Sequence, residues 1–252
     1  MPERLSPGMT DAGADQRLAR SIVWMDGGTE FFEAQLAQVS DDDLSLPSRL
    51  PGWTRLHVVS HMARNARALT NLLRWAETGV ESPMYPSPDH RRADIEVGAL
   101  LPAAEVRADA LAEDRRFRDS ISAMPERAWA AEVRTALGRP VAASEVPWMR
   151  VREVWVHGVD LGAGARFSDV DGDVAAALLV EAAGRFASLE ACPPVVLVSA
   201  GAEGERFAIG PEVADPTEVR GSTQGLAGLL LGRTDGADLE CSGDLPDLPA
   251  WL

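Results

Sequence analysis

The chain has little cysteine and no apolar run long enough to cross a membrane. Its two cysteines, Cys192 and Cys241, are too few for a disulfide framework, and neither lies near the histidine runs. We expect two buried thiols and no cysteine nucleophile. The opening residues have neither the basic region nor the apolar stretch of a secretion signal. These absences predict a cytoplasmic protein without a membrane partner.

Basic residues are scarce relative to acidic ones. The 252 residues include 39 Asp and Glu against 24 Lys and Arg, which gives a net charge of −15. Such a surface repels the phosphates of nucleic acids and anionic lipids, so neither is expected as a partner. No glycine-rich phosphate loop or dinucleotide fingerprint occurs, so no nucleotide cofactor is expected.

Apolar residues recur every three or four positions in four stretches before residue 165, which predicts four helices. Their approximate first and last residues are Leu18 and Val39, Thr54 and Gly79, Pro102 and Pro125, and Ser144 and Val159. Helices of this length, joined by connections that reverse direction, predict an antiparallel four-helix bundle. Between the second and third helices, Pro83, Pro86 and Pro88 predict a long loop without regular structure.

The pattern changes after Gly162. A helix is predicted over 175–189 and another over 222–231, with strands in PPVVLVSAG, GERFAIG and DLECSG. A small α/β domain is therefore expected after the bundle, with domain bounds of 1–165 and 166–252. The predicted fold class is mostly α, with an N-terminal bundle and a small C-terminal α/β domain.

Two motifs are set aside. GSTQG has Thr223 where a nucleophile elbow needs serine, so Ser222 is interpreted as a helix cap. DVDGD resembles a calcium loop, but Val174 stands where glycine is required and Val180 where the bidentate glutamate is required. We interpret this segment as a helix start, where acidic residues favour the positive end of the dipole.

Three residues form a candidate metal site: His61, Glu153 and His157. Glu153 and His157 are four positions apart, so on one helix their side chains lie on the same face. Two imidazoles and a carboxylate suit a divalent metal, and three protein ligands leave one coordination position open. The chain has only four histidines, and these two lie in mostly apolar runs where an unpaired imidazole would be costly.

Other interpretations of these residues stay open. A Glu and a His at this spacing also occur by chance on many solvated helices. His57 lies one turn before His61 and could replace or assist it, whereas His90 is placed in the polar loop. Asp160 could orient His157, or it could pair with Arg64 or Arg150 on the surface.

Several segments resemble the mycothiol-dependent maleylpyruvate isomerases, in order and over nearly the whole chain. They are SRLPGWTRLHVVSHMARNARALTNLL, WAETGVESPMYPSPDHRRADIE, VPWMRVREVWVHGVDLGAG, LLLGR and LPDLPAWL. The resemblance implies an N-terminal bundle of the DinB type and a C-terminal α/β domain. It also implies mycothiol as cofactor and a zinc ion on His61, Glu153 and His157. The implied activity is isomerisation of maleylpyruvate to fumarylpyruvate in gentisate-type aromatic degradation.

The resemblance further implies two substrate-binding arginines, Arg91 and Arg233, with Arg92 as a near neighbour of the first. The chemistry is consistent with these residues, because a thiolate that adds to the cis alkene leaves a single bond that can rotate. A divalent ion deprotonates a coordinating thiol, and guanidinium groups bind carboxylates and stabilise the enolate. With Arg233 reaching in from the second domain, a cleft between the domains is the expected active site.

Two other function classes are kept as alternatives. A mycothiol-dependent S-transferase or hydrolase could use the same metal site on another electrophile, and the two arginines discriminate, because a dicarboxylate needs both. A structural ion that only pins helices together would need a fourth protein ligand, for which His57 is the candidate. The ligand set also accepts iron, nickel or cobalt.

Overall fold

The structure is a computed structural model that describes residues 8–200 and 204–251, with only the backbone described for residues 8–12. The chain divides into two compact units, with the division between Gly164 and Ala165. Among the described residues, no helix is both long enough and apolar enough to cross a membrane.

The first unit is helical. Its helices are α1 (Gly8–Ala37), α2 (Arg55–Thr78), α3 (Pro88–Ala99), α4 (Ala103–Ala123) and α5 (Val146–Asp160). Helix α1 packs against α5, and α2 packs against both α4 and α5, so these four helices form a bundle. Helix α3 lies against α2. The predicted four-helix bundle is confirmed.

The segment between α2 and α4 differs from its prediction. The prolines predict an irregular loop over residues 83–96. This prediction is wrong from Pro88 onward, where α3 begins. Pro88 stands in the first turn, where a missing N–H costs nothing, and the Ser87 hydroxyl accepts a hydrogen bond from the His90 N–H at 3.1 Å. His90 therefore lies on α3, with an exposed side chain, and not in a loop.

This segment returns along α2 toward its N-terminal end. Arg74 donates to the Ser82 hydroxyl at 2.7 Å near the end of α2, and the Ser60 hydroxyl donates to the Ile95 carbonyl at 2.9 Å near its start. As a result α4 begins beside the start of α2 and runs in the same direction, with Arg67 paired to Glu113 at 2.6 Å. The expected reversal of direction is therefore made by the loop and α3, and not by α4.

A short hairpin that the sequence pattern did not predict precedes α5. Its strands are β1 (Glu132–Arg134) and β2 (Pro140–Ala142), paired antiparallel with Val133 opposite Val141. Each strand has three residues and one buried side chain, which is too short for a period to be recognised.

The second unit is a small α/β domain, as predicted. Its elements are α6 (Gly172–Ala187), β3 (Val195–Ser199), β4 (Arg206–Ile209), β5 (Thr217–Gly221), α7 (Thr223–Leu230) and β6 (Glu240–Cys241). The sheet order is β4-β3-β5-β6, with β3 and β5 parallel and the outer pairs antiparallel. The strand β5 was missed by the sequence analysis, and the predicted turn over 201–204 lies largely outside the described residues.

Both helix starts in this unit agree with their interpretation as caps. The Ser222 hydroxyl accepts from the Gly225 N–H at 3.0 Å. The Asp171 carboxylate accepts from the N–H groups of Asp173 and Val174. Neither motif is therefore needed as a nucleophile elbow or a calcium loop.

Close packing of α1 on α5 fixes the position of α5. Phe31 stacks on Trp155 with ring centroids 4.9 Å apart, and the Trp155 indole N–H donates to the Trp24 carbonyl at 2.9 Å. Gly28 makes this approach possible, because a Cβ there would meet Val154 and the indole of Trp155. The helix that carries Glu153 and His157 is therefore held against α1 at a glycine.

We expect Gly28→Ala to lower the free energy of unfolding by about 1–3 kcal/mol, because the added methyl overpacks this contact. Gly27→Ala is the matched control. Its new Cβ would lie 3.7 Å from Trp155, an ordinary contact, and replacing a mid-helix glycine stabilises by up to about 1 kcal/mol. Urea denaturation followed by circular dichroism measures both. Equal stability of the two variants would contradict the close contact at Gly28.

Candidate metal centre

Two antiparallel helices carry the candidate ligands. His61 is on α2, and Glu153 and His157 are one turn apart on α5. Arg55, at the start of α2, donates to the carbonyl of Leu161, just after the end of α5, at 3.0 Å. This contact brings His61 level with the turn of α5 that holds Glu153 and His157.

The three predicted residues meet in one cluster, which we call the His–Glu–His cluster. The Glu153 Oε2 atom lies 2.8 Å from the His61 Nε2 and 3.3 Å from the His157 Nε2. All three candidate ligand atoms lie within 4.8 Å of one another. Metal bonds of about 2.1 Å in a tetrahedron place donor atoms about 3.4 Å apart, so the cluster has a suitable size and donor set for one divalent ion.

His57, the second-ranked candidate, has a different role in the described residues. Its Nδ1 accepts from the Thr54 N–H at 3.2 Å and lies 2.7 Å from the Thr54 hydroxyl, which completes the cap of α2. Its Nε2 lies 3.3 Å from the Glu96 carboxylate on α3. His57 therefore caps α2 and contacts α3, and the described cluster has three members without it.

The two imidazoles of the cluster have opposite electrostatic environments. Burial lowers the pKa of His61 to about 4 and outweighs the hydrogen bond to Glu153. Burial also disfavours the charged form of His157, but hydrogen bonds to Asp160 and Glu153 outweigh it and raise its pKa to about 9. For Glu153, burial opposes ionisation, yet hydrogen bonds to both histidines hold its pKa well below the usual range.

Asp160 orients one ligand. Its carboxylate oxygen lies 2.9 Å from the His157 Nδ1, and the residue is 1% exposed. The alternative that Asp160 forms a surface pair is therefore wrong. Because the Nδ1 position is engaged, the Nε2 atom of His157 faces Glu153, an arrangement common to metal-binding histidines.

Arg91, the first substrate-binding residue that the resemblance implies, lies beside the cluster, and its role in substrate binding stays a prediction. Its Nη2 atom is 3.5 Å from the His61 Nδ1, whereas Arg92 is exposed and pairs with Asp89 at 2.8 Å. The structure therefore distinguishes the two neighbouring arginines. Arg91 occupies this place because α3 returns along α2 past His61.

Two aromatic residues near the cluster were missed by the sequence analysis. The ring of Trp53 lies 5.7 Å from that of His61, and the guanidinium of Arg91 lies 5.8 Å from the ring centre of Tyr85. Trp53 precedes the Thr54 cap, and Tyr85 is the only tyrosine of the chain. Neither position carries a periodic signal, so only the fold reveals their proximity to the cluster.

Arg233, the second predicted substrate-binding residue, belongs to the other unit. It follows α7, and its Nη1 atom donates to the Leu231 carbonyl at 2.6 Å. Its role in substrate binding stays a prediction.

The chain matches a family model described as the mycothiol maleylpyruvate isomerase N-terminal domain over residues 26–162, more than half of its length. A crystal structure of the mycothiol-dependent maleylpyruvate isomerase is 36% identical, with a TM-score of 0.88 over 93% of this chain and 97% of that chain. A crystal structure of a histidine-to-alanine mutant of that enzyme has the same sequence identity, coverage and TM-score.

Curated relatives are more distant. An uncharacterized protein of Mycobacterium tuberculosis, in strain H37Rv and in strain CDC 1551, is 27% identical over 136 residues. The match covers 51% of this chain and 50% of the relative, so the chain spans about half the length of the curated relatives it matches.

We expect the His–Glu–His cluster of the metal-free protein to contain one neutral and one protonated imidazole at neutral pH. Nitrogen-15 NMR of chelator-treated protein should show His61 neutral above about pH 4 and His157 protonated up to about pH 9. Asp160→Asn should lower the pKa of His157 because it removes the neighbouring charge.

Since a proton then competes for His157, apparent metal affinity should rise about tenfold per pH unit from neutrality and level off near pH 9. Competition with a chromophoric chelator measures this dependence. A pH-independent affinity would contradict the proton on His157.

Proposed function

The chain belongs to the mycothiol-dependent maleylpyruvate isomerase family, and from this premise we propose that it isomerises maleylpyruvate to fumarylpyruvate with mycothiol as cofactor. The proposal includes a divalent metal ion, with His61, Glu153 and His157 as its ligands. The His–Glu–His cluster, with Arg91 beside it, is the observation that supports it most strongly.

Three ligands leave one coordination position for an outside sulfur. When bound, the ion lowers the pKa of a coordinating thiol, and the thiolate supplies the reversible addition that turns the cis double bond into a rotatable single bond. Zinc rests on the family resemblance, since the same ligands accept iron, nickel or cobalt.

The chain itself supplies ligand geometry. Asp160 fixes the ring of His157, and Glu153 stays ionised between the two imidazoles. The ring of Trp53 lies 5.7 Å from that of His61, and His61 is buried. These contacts hold the three ligand atoms at a spacing that one ion requires.

Arg91 supplies substrate recognition. Its guanidinium lies within hydrogen-bonding range of the cluster, and a planar fork of N–H donors matches a carboxylate. This placement favours a carboxylate substrate over the alternative of an S-transferase or hydrolase that acts on an uncharged electrophile. Arg233 is proposed as the second carboxylate ligand on the resemblance alone.

The function is tested with purified, metal-loaded protein assayed for conversion of maleylpyruvate, with and without mycothiol. We expect activity only with both metal and thiol. His61→Ala should lose metal and at least about a hundredfold in activity, because the remaining pair binds an ion far more weakly. His90→Ala, which removes an exposed histidine of α3, is the matched control and should retain both.

Activity without thiol would contradict the proposed mechanism. Full activity of His61→Ala would remove the metal from it. Turnover of an uncharged electrophile with mycothiol, in place of maleylpyruvate, would select the S-transferase alternative.

Replacing the cluster-side arginine should impair substrate binding selectively. Arg91→Gln should raise KM for maleylpyruvate about ten- to a hundredfold, the scale of a lost charge-assisted hydrogen bond. Arg92→Gln removes an exposed guanidinium one residue later and should leave KM unchanged. Steady-state kinetics of both variants measure the contrast, and equal effects would contradict the assignment of Arg91.

A further inference from the structure

Tyr85 lies on a loop that is anchored on both sides. Before it, Arg74 donates to the Ser82 hydroxyl at 2.7 Å, and Met84 is 8% exposed. After it, Ser87 caps α3. A side chain on such a short anchored loop has few positions available, so Tyr85 can serve as a rigid support.

The side chain of Tyr85 is engaged with Arg91. The guanidinium carbon lies 5.8 Å from the centre of the phenol ring, within the range of a cation–π contact. The Arg91 backbone N–H donates to the Ser87 carbonyl at 3.1 Å in the first turn of α3. Both ends of the arginine are therefore restrained, its backbone by the helix start and its guanidinium by the tyrosine.

The pair of Tyr85 and Arg91 lies beside the His–Glu–His cluster. The Nη2 atom of Arg91 is 3.5 Å from the His61 Nδ1. Burial raises the pKa of Tyr85 above its usual range, so the phenol is neutral near pH 7 and places no second negative charge beside Glu153.

We propose that Tyr85 is a positioning residue that holds the Arg91 guanidinium beside the His–Glu–His cluster before a carboxylate substrate binds. This inference rests on the proposed function for its substrate. An unrestrained arginine loses side-chain entropy when it binds a carboxylate, whereas a held one has already lost it. Tyr85 therefore acts on substrate affinity through Arg91, and not on the metal.

Kinetics of single and double variants test this action. Tyr85→Leu should raise KM for maleylpyruvate about tenfold, and Tyr85→Phe, which keeps the ring, should raise it less. Metal content should be unchanged in both variants. Because Tyr85 acts through Arg91, the double variant Tyr85→Leu with Arg91→Gln should have the same KM as Arg91→Gln alone.

Multiplicative effects in the double variant would overturn the positioning role, as would a wild-type KM in Tyr85→Leu. Loss of metal from Tyr85→Phe, measured by atomic emission, would also overturn it, because the tyrosine would then support the cluster itself.

A second measurement does not depend on activity. Since Tyr85 is the only tyrosine, protein labelled with tyrosine carbon-13 at Cζ gives a single tyrosine resonance. Arg91→Gln should shift this resonance and raise the pKa of the phenol further, and Arg92→Gln should do neither. An unchanged resonance in Arg91→Gln would overturn the contact.

The two measurements separate the inference from the proposed function. If the wild-type protein fails to isomerise maleylpyruvate while Arg91→Gln still shifts the tyrosine resonance, the proposed function fails and the pairing of Tyr85 with Arg91 stands. If isomerisation occurs while Tyr85→Leu is kinetically silent, the positioning role fails and the function stands.

Discussion

A single buried guanidinium, that of Arg150, fixes α5 relative to α2 and α4. It is 2% exposed and donates to the Met62 carbonyl at 3.1 Å, to the Asn65 side chain at 2.9 Å and to the Asp114 carboxylate at 2.8 Å. An unpaired buried charge costs several kcal/mol, so α5 cannot slide without a large loss of stability. Met62 follows His61, and Arg150 precedes Glu153 by one turn, which makes the spacing of the cluster a consequence of this contact.

The return of the chain along α2 determines what stands beside the cluster. The loop and α3 run back from Gly79 toward the start of α2, where His61 lies. They cover that face of α2 and bring Tyr85 and Arg91 to the cluster. The same return sets the direction of α4. The candidate ligands and the proposed substrate-binding arginine therefore lie on different helices.

The bundle and the three candidate ligands could be predicted from sequence because both depend on local or compositional signals. Helical periodicity is local, and few histidines in apolar runs leave few choices for a metal ligand. α3 was missed because Pro88 was treated as a helix breaker, although its ring suits a first turn. Tyr85 was missed for a different reason, since its contact with Arg91 depends on how the loop is anchored to α2, which no spacing in the sequence encodes.

A net charge of −15 is compatible with a dianionic substrate because the relevant interactions differ in range. A surface carboxylate about 20 Å away contributes only about 0.2 kcal/mol in water even before screening, and at physiological salt the screening length is about 8 Å. Arg91 lies 3.5 Å from His61, and the carboxylate of Glu153 is already balanced by the imidazoles that flank it. The potential that a carboxylate would experience at the proposed site is therefore set by Arg91 and the ligand cluster, and the acidic surface contributes little to it.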